Sequence, residues 1–147
     1  MERSLVLIKP DAVQRGLIGK IITHLENKGL KFIAMKMIHM DKELAKRHYA
    51  VHKGKPFYED LIVFITSSPV IAIVIQGDNV VEIVRHTIGE TNPAKSAPGT
   101  IRGDFAVSMR YNLIHGSDSP ENATTEIELF FTKDEIYDYS RDIDRWT

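Results

Sequence analysis

Three short apolar runs, Leu5 to Ile8, Phe32 to Met40 and Val70 to Ile75, are separated by stretches with helical spacing, and this alternation sets what the chain can become. Leu5–Ile8 is continuous and stopped by Lys9-Pro10-Asp11, as in a buried strand. Phe32–Met40 carries Lys36 and His39 and predicts a second strand. Val70–Ile75 is the strongest strand signal and is closed by Gly77-Asp78. Between them Leu17, Ile18, Ile21, Ile22 and Leu25 recur on one helical face, with Gly29 as C-cap. Asp41 caps a short helix running toward Tyr49. Lys53-Gly54-Lys55-Pro56 is a turn, and Phe57 to Thr66 predicts another helix. Asn79-Val80-Val81-Glu82 has the pattern of a capping box opening a helix that ends near Ile88. Apolar alternation from Phe105 to Met109 predicts a further strand. Ser119-Pro120-Glu121 then starts a helix with Pro at its first position. That helix carries Glu126, Ile127, Leu129 and Phe130, and the polar tail from Asp134, with Tyr137, Tyr139 and Trp146, is expected to pack on the surface of the core. The order β-α-β-(α)-β-α-β predicts an α+β fold: a ferredoxin-like antiparallel sheet with helices on its faces, in one domain over residues 1–147.

Composition narrows the function classes. With 43% hydrophobic residues in 147, a packed core is expected rather than disorder. A net charge of −1, from 19 basic and 20 acidic residues, argues against strong sequence-independent nucleic-acid binding while leaving room for a local basic pocket. The chain has no Cys, which excludes disulfides, thiolate metal sites and Cys nucleophiles. The apolar stretch after Met1-Glu2-Arg3-Ser4 is too short for a signal peptide or a membrane span, so an intracellular, cytoplasmic protein with no membrane contact is expected.

The segment from Gly89 to Asp118 holds Gly89, Gly99, Gly103 and Gly116 together with Pro93 and Pro98. So long a stretch with little regular structure is usually functional. It ends in Asn112-Leu113-Ile114-His115-Gly116-Ser117-Asp118. Imidazole is both a good nucleophile and half neutral near pH 7. Gly116 is expected to leave space beside the ring, and Ser117 and Asp118 offer hydrogen bonds. In isolation such a His is more often an ordinary turn residue; the rest of the chain decides.

Three other motifs invite function and fail. Gly89 to Ser96 has the register of a phosphate-binding loop, but Ala94 replaces the second Gly, and Pro93 removes an N–H that the phosphate cradle would use. His48 and His52 have the i, i+4 spacing of zinc-binding helices, but Tyr49 stands where the general-base Glu belongs; they read as helix-surface histidines. Arg102-Gly103-Asp104-Phe105-Ala106-Val107 resembles an RNA-stacking signature, but Asp104 occupies the aromatic position.

Arg85, Thr91, Arg102 and Asn112 are possible partners of His115. Arg forks match phosphate oxygens bidentately, so two Arg, a Lys and a Thr near a nucleophilic His suggest phosphate transfer. Taken singly, each Arg is an ordinary solvated charge; the grouping with the His run shifts the reading. No acidic run suggests a protein cage for Mg²⁺, which often arrives on the nucleotide's own phosphates.

With Ile8-Lys9-Pro10-Asp11, Gly89 to Ala94, Pro98 to Phe105 and Asn112 to Asp118 in place, the chain closely resembles nucleoside diphosphate kinases over essentially its full length. The resemblance implies ping-pong transfer of a γ-phosphoryl group between nucleoside tri- and diphosphates through a phosphohistidine on His115, with Mg²⁺ as cofactor and broad base specificity. It implies that Glu126 hydrogen-bonds the other ring nitrogen and that Ser117 assists nearby. Arg85, Arg102, Thr91, Tyr49 and His52 would line the phosphates. Lys9 and Asn112 would hold the sugar hydroxyls, with Lys9 also near the reacting phosphate. Phe57 would stack on the base, with Leu61 and Met109 among the nucleotide contacts. Met109 departs from the Val often found in the family, but Met is flexible and apolar, so the slot should survive. A homo-oligomer is also implied, a hexamer rather than a tetramer. The rival readings are an RNA-binding module of the same fold and a nucleotide-binding relative without catalysis. Net charge and Asp104 speak against the first, and intact His115 and Glu126 against the second.

Overall fold

The computed structural model describes residues 1–147. Four strands form one antiparallel sheet in the order β2-β3-β1-β4: β1 (Arg3–Ile8), β2 (Lys31–Ile38), β3 (Val70–Gln76) and β4 (Ile114–Gly116). Seven α-helices connect and cover them: α1 (Pro10–Gln14), α2 (Ile18–Asn27), α3 (Lys42–His48), α4 (Tyr58–Ile65), α5 (Val80–Ile88), α6 (Ile101–Phe105) and α7 (Pro120–Phe130). No helix is long and apolar enough to cross a membrane.

The continuous apolar runs of β1 and β3 reflect burial on both faces of the sheet. Val6, Ile8, Ile71, Ile73 and Ile75 face α2 and α5 through Ile21, Leu25, Val80, Val84 and Ile88. Leu5, Leu7, Val70, Ala72 and Val74 face α3, α4 and α7 through Ala45, Ile62, Ile65, Ile127 and Phe130. Two helical layers therefore sandwich the sheet, and the strands alternate between two cores.

Local chemistry explains the starts of α3, α6 and α7. The Asp41 carboxylate accepts from Leu44 N at 2.8 Å, and the Ser119 hydroxyl accepts from Asn122 N at 3.1 Å, as expected of caps. The start of α5 differs from its sequence reading. Asn79 is left-handed at φ 53° and its side chain makes no cap. The Glu2 carboxylate instead accepts from Val81 N at 2.9 Å, so a residue ahead of β1 serves as the cap. The tail lies against β2: Tyr137 N donates to Ile33 O at 2.9 Å, and the Arg141 guanidinium donates to the carbonyls of Leu30 and Gly29.

The strand expected over Phe105–Met109 does not exist. Thr100 caps a helical turn instead, its hydroxyl accepting from Gly103 N at 3.0 Å, and α6 runs through Phe105. Val107 is 91% exposed, so the alternation had no sheet to join. The fourth strand is β4, and the resemblance of Arg102–Val107 to an RNA-stacking strand falls with the helical assignment. The short helix α1, begun by Pro10 at its first position, was hidden under the strand-stop reading of Lys9-Pro10-Asp11.

Candidate active site

β4 is an edge strand, and it pairs Leu7 with His115 and Val6 with Gly116. Paired residues share a face, so His115 points to the layer of α3 and α7 while Gly116 points to α5. The space beside Gly116 is therefore not the ring's. A Cβ there would meet Ile88 Cδ1 at 2.8 Å and Val84 Cγ1 at 3.3 Å, so glycine is needed to seat α5. Just before the strand, Leu113 is fully buried with φ 76°, a left-handed conformation that costs a non-glycine residue about 1 kcal/mol. Its N–H donates to Asp11 Oδ2 at 3.1 Å and its carbonyl accepts from Lys9 N at 2.8 Å, which holds the bend in place.

His115 Nε2 lies 2.8 Å from Glu126 Oε2 on α7. Burial pushes the Glu126 carboxyl up. The hydrogen bond and charge of His115, with help from Ser117 and His48, outweigh that and hold it below its ordinary value. Glu126 is thus ionised and fixes the ring through Nε2, which leaves Nδ1 free.

A cavity of about 950 Å³ opens beside this pair. Residues of both layers line it, Tyr49 and Glu126 from one and Arg85 and Ile88 from the other, so it lies along the β4 edge where the layers meet. Five cationic side chains (Lys9, Arg47, Arg85, Lys95 and Arg102) face three carboxylates (Glu90, Asp118 and Glu126) in its wall. The local balance is basic although the chain as a whole is not.

Lys9 follows β1 and donates from Nζ to Asn112 Oδ1 at 2.8 Å, and Asn112 Nδ2 donates to Thr91 O at 3.2 Å. Burial and the Arg102 charge, partly offset by Asp11, lower Lys9 to about 8. Arg102 is buried, and its guanidinium donates to the carbonyls of Asn112 (3.1 Å), Gly89 (3.3 Å) and Ile114 (2.6 Å). It clamps the glycine-rich segment onto β4 and keeps two of its five N–H donors for a ligand. Burial, then Arg85, lower it to about 10, so it stays cationic. Tyr49 is pushed up to about 12 by burial and is a neutral donor.

Of the residues expected from sequence, His115, Glu126, Lys9, Tyr49, His52, Arg85, Thr91, Arg102 and Asn112 all line this cavity. Ser117, Phe57, Leu61 and Met109 are not in its wall. Ser117 is fully buried behind it, its hydroxyl accepting from Leu5 N at 2.9 Å. Phe57 is 45% exposed and stands edge-on to the His52 ring, with centroids 5.4 Å apart. Leu61 packs against the core on the α4 side, and Met109 is 58% exposed.

The reading of His48 as a helix-surface residue is corrected: its side chain is 2% exposed and its ring packs edge-to-face against His115, with centroids 4.9 Å apart. Its spacing held the signal, since His48 lies three residues after the buried Ala45 and therefore on the inward stripe of α3. Arg47 and Lys95 also line the cavity: Arg47 carries no spacing signal, and Lys95 stands at the Lys position of the Gly89–Ser96 register that Ala94 and Pro93 speak against.

The nucleoside diphosphate kinase family model matches residues 2–136. The chain is 57% identical over 146 residues to the nucleoside diphosphate kinase of Thermomicrobium roseum, covering 99% of this chain and 98% of that one. Among solved structures it is similar to a nucleoside diphosphate kinase family protein from Babesia bovis, with TM-score 0.96, 44% identity and 99% of each chain covered. It is also similar to a halophilic nucleoside diphosphate kinase from Halobacterium salinarum in complex with CDP, with TM-score 0.95, 50% identity and coverage of 99% of this chain and 97% of that one.

Proposed function

The chain belongs to the nucleoside diphosphate kinase family, a family of phosphotransferases, and from that premise we propose that His115 Nδ1 is its phosphoryl carrier. The carrying observation is the 2.8 Å pair between His115 Nε2 and Glu126. The Nδ1 lone pair attacks the γ-phosphorus of a nucleoside triphosphate. The N–P bond forms as the bond from phosphorus to the β,γ-bridging oxygen breaks, and the nucleoside diphosphate leaves. Positive charge develops on the ring, and the Nε2–H bond to the Glu126 carboxylate stabilises it. A second nucleoside diphosphate then takes the phosphoryl group by the reverse step.

The other groups position and neutralise, which is most of what phosphoryl transfer requires. Lys9 and the free donors of Arg102, with Arg85, Thr91, Tyr49 and His52, face the space where phosphates lie in this reading. Asn112, held by Lys9, is assigned to the sugar hydroxyls together with it. Mg²⁺ is part of the substrate here, bound to the nucleotide's phosphates, which suits a wall richer in cations than in carboxylates. Phe57 takes the base at the cavity mouth, with Leu61 and Met109 nearby in the nucleotide-bound state, and Ser117 acts on the pair through Glu126.

We read the chain as one domain acting as a homo-oligomer, with a hexamer the expected form. Met35 and Met37, 56% and 57% exposed on the edge strand β2, support self-association, which sedimentation measures directly. A chain without cysteine fits a cytoplasmic enzyme. The reaction is tested by a chase: protein labelled from γ-labelled ATP and freed of nucleotide passes its label to added GDP, CDP or UDP. His115→Ala takes up no label while still binding nucleotide, and label in that variant contradicts the assignment.

A further inference from the structure

We propose that His48 Nδ1, His115 Nε2 and Glu126 Oε2 form a site for a zinc-class transition-metal ion, and that an ion bound there blocks phosphoryl transfer. The ligand atoms of these three residues all lie within 4.8 Å of one another. His115 Nε2 is 2.8 Å and His48 Nδ1 3.9 Å from Glu126 Oε2. A tetrahedral zinc with ligands at about 2.0–2.1 Å sets them about 3.3 Å apart, so side-chain rotation closes the gap without moving α3, β4 or α7.

A second observation points the same way. His48 Nδ1, one of the three ligand atoms, has no hydrogen-bond partner in the protein, and the His48 side chain is only 2% exposed. Buried polar atoms are otherwise almost always satisfied, by protein, water or an ion. The donor set decides which ion fits. Mg²⁺ and Ca²⁺ take oxygen ligands, whereas imidazole suits zinc, copper and nickel. Two imidazoles and one carboxylate are a donor set of zinc sites that keep a fourth position open, and the cavity lies on that side.

Such an ion takes the Nε2 lone pair, and the one proton of the neutral ring passes through solvent from Nε2 to Nδ1. Nδ1 then carries that proton and has no lone pair with which to attack phosphorus, so transfer stops. Metal binding stands on the geometry alone; the inhibition rests on the proposed role of His115.

Titration calorimetry of zinc chloride into the nucleotide-free protein tests the binding. One ion per chain is expected, with affinity at least about tenfold weaker in His48→Gln. It is expected to be unchanged in His24→Gln, which removes the surface His24–Asp104 pair. No binding, as for a site holding only water, or binding indifferent to His48→Gln, overturns the proposal. If His48→Gln does not fold, Co²⁺ added to the unaltered protein decides: an intense four-coordinate visible spectrum displaced by Zn²⁺ supports the site, and a weak six-coordinate one overturns it. Zinc that binds as expected but leaves transfer untouched in excess Mg²⁺ and nucleotide overturns the inhibition. Transfer persisting in His115→Ala overturns the reaction assignment instead.

Discussion

Burial and the Arg102 charge, only partly offset by Asp11, bring Lys9 from 10.5 down to about 8 in the nucleotide-free protein. The shift corresponds to about 3 kcal/mol against the charged form. Because the unfolded chain holds this proton up to higher pH than the folded one, stability rises with pH between about 8 and 10.5 and is flat below. A phosphate beside Lys9 reverses the penalty, so nucleotide binding near pH 8.5 takes up a fraction of a proton. Calorimetry in buffers of different ionisation enthalpy measures this uptake, and Lys9→Met is expected to remove it; equal uptake in both proteins would place the proton elsewhere. Glu126→Gln leaves a neutral amide to hold Nε2 and no charge to balance the ring. Transfer is expected to slow about tenfold to a hundredfold, with nucleotide affinity little changed. A variant whose KM rises while kcat holds would show that Glu126 serves binding rather than the ring. The His run was legible in sequence through its grouping with Arg85, Thr91, Arg102 and Asn112, and Glu126 only through the family resemblance, since nothing in its segment sets it apart from Glu121 or Glu128. The left-handed Leu113 was not, since nothing in an Asn-Leu-Ile run signals positive φ; tertiary bonds to Asp11 and Lys9 impose it.

Among the elements, α5 and β4 meet closely at Gly116 beside the site. Gly116→Ala places a methyl group 2.8 Å from Ile88 Cδ1 and is expected to destabilise the fold by about 1–3 kcal/mol. Ile88→Val deletes that very atom. The double variant should therefore be more stable than the sum of the two single changes, and denaturant melts of the four proteins measure the coupling. Simple additivity would mean the strain is relieved elsewhere. Strands β1 and β3 were legible because apolar runs closed by Pro or Gly leave few alternatives, and β2 because its apolar run lies between the Gly29 and Asp41 helix caps. Over Phe105–Met109 the alternation misled, because a Thr100 cap on a five-residue helix outweighed it once Ile101 was buried in the core. β4 was hidden for the opposite reason: a three-residue strand is too short for periodicity and exists only by pairing with β1. The start of α5 lay beyond local reading, since its cap comes from Glu2, seventy-nine positions away.

At the scale of the molecule, the sheet's edge brings two helical layers together around a cationic cavity in a chain of net charge −1. In the proposed mode of binding the base falls to Phe57 and Met109, which are exposed, apolar and outside the cavity wall. Purine and pyrimidine diphosphates should accordingly differ in kcat/KM by only about ten- to a hundredfold. A much larger ratio would require a polar base pocket. All of this depends on one bond, between phosphorus and the ring nitrogen of His115 that Glu126 leaves free. Protein incubated with ATP and no acceptor, unfolded in alkali and examined by phosphorus NMR reports that bond directly. The expected result is one acid-labile phosphoryl group per chain on Nδ1 of His115, absent from His115→Ala; phosphate on Nε2, or on any other residue, would contradict it.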